Sequence, residues 1–248
     1  EAIGIDVEQG RARRVRTVRG EFESDAVLVN ADYAHTETVL LPPEARSLPE
    51  RYWRRAVVAP SMFILYLGVK RPLASLVHHN LYFAPDWRQH FATIFDRPAW
   101  PAEPCFYVSC ISKTDVGMAP EGQENVFVLV PVAPGLDDGD ERREAYADEV
   151  LNHLERVTGE EVRSAVTVKR IFSHRDFRKD YNALQGTALG LAHTLGQTAF
   201  FRPPFRSRKV ANLYYAGQYT HPGVGVPMVL IAAEVAAGIL EQQREGKR

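Results

Sequence analysis

The residues best placed to do chemistry lie between Asn212 and Leu240. They run Asn212-Leu-Tyr-Tyr-Ala-Gly217-Gln218-Tyr-Thr220-His221-Pro-Gly223-Val224-Gly225-Val226-Pro227-Met228, followed by an alanine-rich apolar run. Leu213 to Ala216 has the continuous apolar character of a short buried strand. The three glycines from Gly217 to Gly225 let the backbone turn sharply and approach a ligand closely. Pro227 suits a first helical turn, where its missing N–H costs nothing. Met228 to Leu240 then reads as a helix, apolar almost all round and so expected to be buried. The first amides of such a helix lack internal partners and the helix dipole adds positive potential. Strand, loop and helix together can therefore hold an anion or a polar cofactor. The same residues also fit a tight strand-to-helix turn with glycines for packing, and spacing alone leaves both readings open.

Other candidates carry an equally plain alternative. Asn30 and Asp32 end the apolar run Ala26 to Val29, at the carboxyl end of a strand where ligands bind. They also suit the capping of a helix at Tyr33 to Leu40. Asp176 sits in a charged turn with His174, Arg175 and Asp180. It reads as a solvated face or, if an apolar tunnel buries it, as a proton acceptor with a raised pKa. His221 is open to a general acid/base role or to bonding its own loop. His78 and His79 are adjacent, and adjacent strand residues face opposite ways, so no metal site is expected there.

The elements that must position these residues follow from patterning. Residues 1–30 read as three strands, separated at Glu8-Gln-Gly10-Arg and at Arg19-Gly20. Pro42, Pro43, Pro49 and Pro60 mark a linker that contains a short helix, Glu50 to Val58. Beyond it come strands at Met62–Val69, Leu76–Phe83, Cys105–Ile111, Val126–Val132 and Val166–Phe172. Val126 to Val130 is apolar at every position, which predicts cover on both faces. A helix from Glu141 to Thr158 carries the stripe Ala147, Val150, Leu151 and Leu154, and Gly159 ends it. These parts predict an α+β arrangement, a mixed sheet with helices on one face. Trp87 to Phe95 predicts a short amphipathic helix with Trp87, Phe91 and Ile94 on one side, suited to a membrane interface or to burial on the sheet.

The chain has 248 residues, a formal charge of −1, and nothing overall that points to nucleic acid. Five arginines between Arg11 and Arg19 read as an exposed strand face. Cys105 and Cys110 have opposite strand parity, so no local disulfide is expected, which fits a reducing compartment. No signal peptide is visible. Val226 to Leu240 is shorter than a bilayer needs and contains Glu234, so no spanning helix is expected. Glu1 opens directly into an alternating strand and no Gly-x-Gly-x-x-Gly occurs, which leads to the expectation of a fragment lacking an N-terminal pyrophosphate site.

Asn212-Leu-Tyr-Tyr-Ala-Gly217 followed by Thr220-His-Pro-Gly-Val-Gly-Val-Pro227 resembles the C-terminal signature of the bacterial-type phytoene desaturases. These are FAD-dependent carotenoid desaturases of the amine-oxidase-like flavoprotein superfamily. Asn30-Ala-Asp32, Pro60 to Gly68, His78 to Phe83 and Phe177 to Pro203 are similar to the same family in the same order. The resemblance implies a partial, Rossmann-like FAD-binding domain over residues 1–45 and 206–248, and a substrate-binding domain over 46–205. It implies FAD contacts from Gly217, Gln218, Thr220, Gly223, Val224, Gly225, Val226, Pro227 and Met228, with Asn30 and Asp32 near the flavin. Asp176 is the implied candidate proton acceptor. The implied substrate is a hydrophobic polyene, in a channel between the two domains, and the implied location is cytoplasmic and peripherally membrane-associated. Many relatives place an acidic residue at position 218, where this chain has Gln218, an amide able to bond hydroxyls without charge repulsion. Two alternatives stand beside desaturation: a related carotenoid or retinoid flavoprotein (ketolase, oxygenase or saturase), and a non-catalytic substrate domain without FAD. Oligomeric state is left open.

Overall fold

The computed structural model describes residues 1–245 and divides into two compact units. Unit 1 comprises Glu1–Ala59, Asp180–Leu184 and Leu189–Arg248; unit 2 comprises Pro60–Lys179 and Gln185–Ala188. The sequence-based boundaries stood at 45/46 and 205/206. The chain passes from unit 1 to unit 2 at Ala59/Pro60 and returns between Lys179 and Leu189.

In unit 1, β1 (Ala2–Glu8), β2 (Arg11–Thr17) and β3 (Gly20–Glu23) form an antiparallel sheet in that order. The arginine-rich β2 stays at the surface because its charges pair across strands. Arg14 meets Glu21 at 2.6 Å and Arg16 meets Asp6 at 2.9 Å. The segment 1–30 thus holds four strands rather than the expected three. Gly20–Glu23 is exposed at every position and so gave no apolar signal. The fourth, β4 (Val27–Val29), pairs in parallel with β10 (Leu213–Tyr215). After β4 come α1 (Tyr33–His35), a π turn over Thr36–Leu40, and α2 (Glu50–Arg55). Their apolar side chains share one core with Ile5, Leu213 and Tyr215, in which Tyr33 stacks on Tyr215 at 3.8 Å.

Unit 2 is a five-stranded sheet of β5 (Ser61–Val69), β6 (His79–Tyr82), β7 (Phe106–Cys110), β8 (Glu124–Val132) and β9 (Val166–Phe172), in the order β6-β7-β8-β5-β9. Every pairing is antiparallel, which corrects the expectation of a mixed sheet. α3 (Trp87–Phe95), α4 (Asp140–Thr158) and α5 (His174–Tyr181) complete the fold. On α4, Tyr146, Ala147, Val150, Leu151 and Leu154 are buried with Phe63, Leu65, Val128 and Val130 of the sheet. β8 is fully buried only at alternate residues, so its uninterrupted apolar run does not mean equal cover on both faces. Cys105 and Cys110 are buried free thiols.

α6 (Val226–Glu245) departs most from expectation. Among its described side chains only Ala232 and Ala236 are fully covered, one helical turn apart, while Val226, Leu230 and Ile231 are exposed. The expectation of a buried helix is therefore corrected. So is the expectation that this stretch is too short to span a bilayer. The helix runs past Leu240, and Val226–Gln243 is long and apolar enough by length and composition, although it contains Glu234 and Glu241.

Candidate functional site

The site in unit 1 starts from the parallel pair β4–β10, whose carboxyl ends point the same way. The Ala216 amide donates to the Val29 carbonyl at 2.9 Å, extending the ladder one step past the strand. There Asn30 donates from Nδ2 to the Ala216 carbonyl at 3.2 Å. Asp32 caps α1 through the His35 amide at 2.9 Å, and its other oxygen accepts from the Tyr219 hydroxyl at 2.6 Å. Asp32 thus fills the capping role read from the sequence and, through Tyr219, also ties the helix to the glycine loop. Burial raises the Asp32 pKa, against the lowering effect of the Tyr219 and His35 hydrogen bonds.

Gly217, Gly223 and Gly225 have φ of +123°, +124° and +124°, a region side chains resist. At Gly223 the cost of a side chain would be steric as well, since a Cβ would lie 2.5 Å from the His193 ring. Thr220 folds the turn back by donating from Oγ1 to the Gly217 carbonyl at 2.9 Å. The His221–Pro222 peptide is cis. Gly225 closes the loop, accepting from the Val229 amide at 2.9 Å as α6 begins. The structure thus brings Asn30, Asp32, Gly217, Gln218, Thr220 and Gly223 into one neighbourhood. Val224, Gly225, Val226, Pro227 and Met228 lead from it into the exposed first turn of α6.

Three residues that the sequence reading did not single out hold this neighbourhood. Tyr219 bonds Asp32. Glu37, fully buried, accepts from the Tyr215 hydroxyl at 2.6 Å and from the Leu48 amide at 2.9 Å. Arg202, only 5% exposed, donates to the carbonyls of Gln197, Gln218, Tyr219 and Thr220. Phe201-Arg202-Pro203 belonged to the resemblance, but a lone arginine between apolar residues gives no spacing signal of its own.

Asp176 lies in unit 2, at the start of α5. Its Oδ2 accepts from Arg143 at 2.7 Å and from the Ser173 amide at 2.9 Å. Asp138 shares the same arginine at 3.8 Å and accepts from the Ser173 hydroxyl and the Arg175 amide. This is an ion-paired helix start rather than a carboxylate walled by apolar groups. The His78 and His79 rings stack 4.0 Å apart, which corrects the expectation that they point to opposite faces, because His78 precedes β6 and escapes strand parity. Their Nδ1 atoms bond Thr114 and Tyr107, each at 2.6 Å. No cluster of three metal-ligating side chains occurs among the described residues.

A flavin nucleotide suits the unit 1 site on chemistry visible there. Three glycines at positive φ give the loop its tight path, and a buried guanidinium without a carboxylate partner among the described residues lies behind it. Asn30 and Gln218 supply amides able to meet hydroxyls or carbonyls.

Comparison with known proteins agrees with this chemistry. The chain is 49% identical over 227 residues to a carotenoid 3,4-desaturase of Haloarcula japonica, covering 91% of this chain and 46% of that one. It is 36% identical over 234 residues to a zeta-carotene-forming phytoene desaturase of Myxococcus xanthus, covering 91% and 44%. A lycopene-forming phytoene desaturase of Pseudescherichia vulneris is 33% identical over 241 residues, covering 94% and 49%. The chain therefore spans about half the length of the curated relatives it matches. An oxidoreductase structure from Methanosarcina mazei shares the fold, with a TM-score of 0.60 at 17% identity, over 97% of this chain and 48% of that one. The profile of flavin containing amine oxidoreductases matches residues 3–240, nearly the whole chain, and the protein belongs to that family.

Proposed function

We propose that this chain supplies part of the flavin site and the substrate unit of an FAD-dependent desaturase acting on a carotenoid-type polyene. The observation behind the substrate class is the open face of the unit 2 sheet. Side chains alternate across a strand, so the residues between those buried against α4 form a second face. Across it, Leu81, Tyr107, Leu129 and Ile64 lie in register on neighbouring strands, with Phe127 beside Tyr66 in the next row. Leu81 and Tyr66 are exposed and Tyr107, Phe127 and Leu129 half-buried. The aliphatic and aromatic side chains of this face suit a long conjugated hydrocarbon, with His79, Ser109 and Arg170 completing the row of Phe127 and Tyr66.

For the cofactor we assign Asn30, Asp32, Gly217, Gln218, Thr220, Gly223, Val224, Gly225, Val226, Pro227 and Met228. When bound, FAD would accept hydride from one carbon of an allylic CH2–CH2 unit while the neighbouring carbon releases a proton to solvent, leaving a C=C bond and reduced flavin. The chain's own contribution is placement, through a glycine loop whose path Asp32, Tyr219 and Arg202 hold. Asp176 has no part in this reading, since Arg143 already neutralises it.

We also assign a peripheral membrane contact to α3. Trp87, Phe91 and Phe95 are 45%, 51% and 55% exposed, four residues apart on one stripe, while His90 and Ile94 hold the helix to its unit.

The test is the visible spectrum of the purified chain with and without added FAD. Flavin bands that stay with the protein through gel filtration support the assignment. A folded chain that retains no flavin at any concentration tried sinks the cofactor site as drawn from these residues.

A further inference from the structure

Arg202 is a buried cation in an unusual setting. Its Nε donates to the carbonyls of Tyr219 and Thr220 at 3.2 Å each, Nη2 to Gln218 at 2.7 Å, and Nη1 to Gln197 at 3.3 Å. Three consecutive loop carbonyls are thus gathered on one guanidinium. A planar trans peptide carries its N–H opposite its carbonyl oxygen. The three carbonyls therefore turn the amides of Tyr219, Thr220 and His221 away from Arg202. Thr220 spends its amide on Gly217 at 3.2 Å; those of Tyr219 and His221 make no hydrogen bond among the described residues. Gly223 packs against the same group, since a Cβ there would stand 3.4 Å from the Arg202 guanidinium carbon. A buried charge without a counter-ion is costly and persists only where neighbouring dipoles or a ligand offset it. The four carbonyls offset part of it, and the loop's outward amides extend its potential toward whatever binds.

We propose that Arg202 is a positioning residue for the cofactor loop, drawing the carbonyls of residues 218–220 inward so that the opposite peptide edges present a donor surface to electron-rich oxygens of the bound nucleotide. This rests on the flavin reading above. The oxygens could be those of the flavin ring or of a phosphate, and the experiment separates the two.

Arg202→Met and Arg202→Lys are made in the full chain. Amide hydrogen exchange is followed without ligand, and binding of FAD, FMN and riboflavin is followed by flavin fluorescence. In Arg202→Met, exchange of the Thr220 amide, which bonds the Gly217 carbonyl, is expected to rise tenfold or more while Val27–Val29 and Leu213–Tyr215 keep wild-type rates. Flavin affinity is expected to fall tenfold or more. Lysine, which keeps the charge but not the planar fork, is expected to recover only part of each effect. Equal weakening of all three flavins assigns the donor surface to the ring. Weakening of FAD and FMN but not riboflavin assigns it to phosphate. Unchanged loop exchange in Arg202→Met overturns the proposal, as does exchange that rises throughout unit 1, because Arg202 would then hold the fold and not the loop. Unchanged affinity for every flavin that the wild type binds overturns it too. A wild type that binds none of the three refutes the flavin reading instead, and the exchange result then decides the positioning role by itself.

Discussion

Unit 2 is a continuous antiparallel sheet with its own covering helix, whereas the cofactor loop of unit 1 is held by separate polar bonds to residues far away in the chain. In unit 2, β7 pairs with β8 across one connection, and α4 follows β8 directly to cover the face that β8 helped to build. In unit 1, the loop from Gly217 to Gly225 is held to Asn30 and Asp32 by bonds across 186 and 187 residues. The Asn212 side chain at the foot of β10 brackets Ala12 across 200 residues through both its amide groups. A sheet with its own helix resists change until its core is broken. A loop held by scattered polar bonds can lose its shape while the strands beneath it survive. Substitutions in the two regions should therefore differ in kind: loss of the fold in unit 2, loss of binding in unit 1.

The largest expected effect is in unit 2. Arg143 is 5% exposed and neutralises Asp176 while also bonding the Ile171 carbonyl. Arg143→Met strands two carboxylates around Ser173, and breaking such a buried pair costs about 3–5 kcal/mol. Urea denaturation should show that loss. A variant as stable as wild type would mean that solvent reaches Asp176 freely. Asp176→Asn with Arg143 intact should cost less, because Asn still accepts from the arginine and the Ser173 amide.

The next effect belongs to the loop. Gly223→Ala places a Cβ 2.5 Å from His193 and forces alanine to φ +124°. FAD affinity should fall tenfold or more with little change in the unfolding of unit 2. Adding His193→Ala removes the clash but not the backbone strain, so it should restore only part of the affinity. Full restoration would show that the conformation at 223 is not needed for binding, and no loss in the single variant would remove Gly223 from the site.

These contrasts explain what the sequence disclosed. The strands and helix of unit 2 were legible because their burial follows local periods: β5, β9 and α4 fall within a residue or so of expectation. Strand direction was not, since it depends on which strands pair, and that left the sheet wrongly called mixed. β3 was invisible because its residues are all exposed and its order comes from pairing with β2. The glycine loop was legible as a turn and as a family signature. Arg202 was not, because four carbonyl partners leave no trace in residue type. α6 misled for a physical reason: an apolar composition states what a helix can bury, not what lies against it in this chain.

A smaller effect separates the units by pH. Burial lowers the pKa of His90, His153 and His174, all in unit 2 and all nearly inaccessible. A histidine whose folded pKa lies below its unfolded value, about 6.5, resists protonation only while folded. Its contribution is complete above that pH and declines as pH falls below it, since the unfolded chain takes up protons that the folded chain refuses. His35 and His193 in unit 1 shift the same way but are more accessible. The urea midpoint of unit 2 should therefore fall between pH 7 and 5 more steeply than that of unit 1. His174→Gln keeps a donor for the Ala133 carbonyl, which His174 meets at 2.7 Å, and removes one titration. Its slope should be shallower than wild type, and an equal slope would discharge His174 from the effect.

The smallest effect on stability tests the membrane assignment. Replacing Trp87, Phe91 and Phe95 together by serine removes side chains that are about half exposed, so the unfolding free energy should fall by about 1.5 kcal/mol or less, at about 0.5 kcal/mol for each surface substitution. Binding to phospholipid vesicles, measured by flotation, should nevertheless fall tenfold or more. Two helices compete for this role, because α6 also shows an apolar surface. The stripe on α3 is aromatic and belongs to a unit that has closed its own core, so its exposure is not a by-product of an unfilled interface. α6 is aliphatic and lies next to the cofactor loop. Vesicle binding that survives the triple substitution but is lost on replacing Leu230 and Ile231 by serine would move the membrane contact from α3 to α6. It would also break the division drawn here, because one region of unit 1 would then serve both the cofactor and the bilayer.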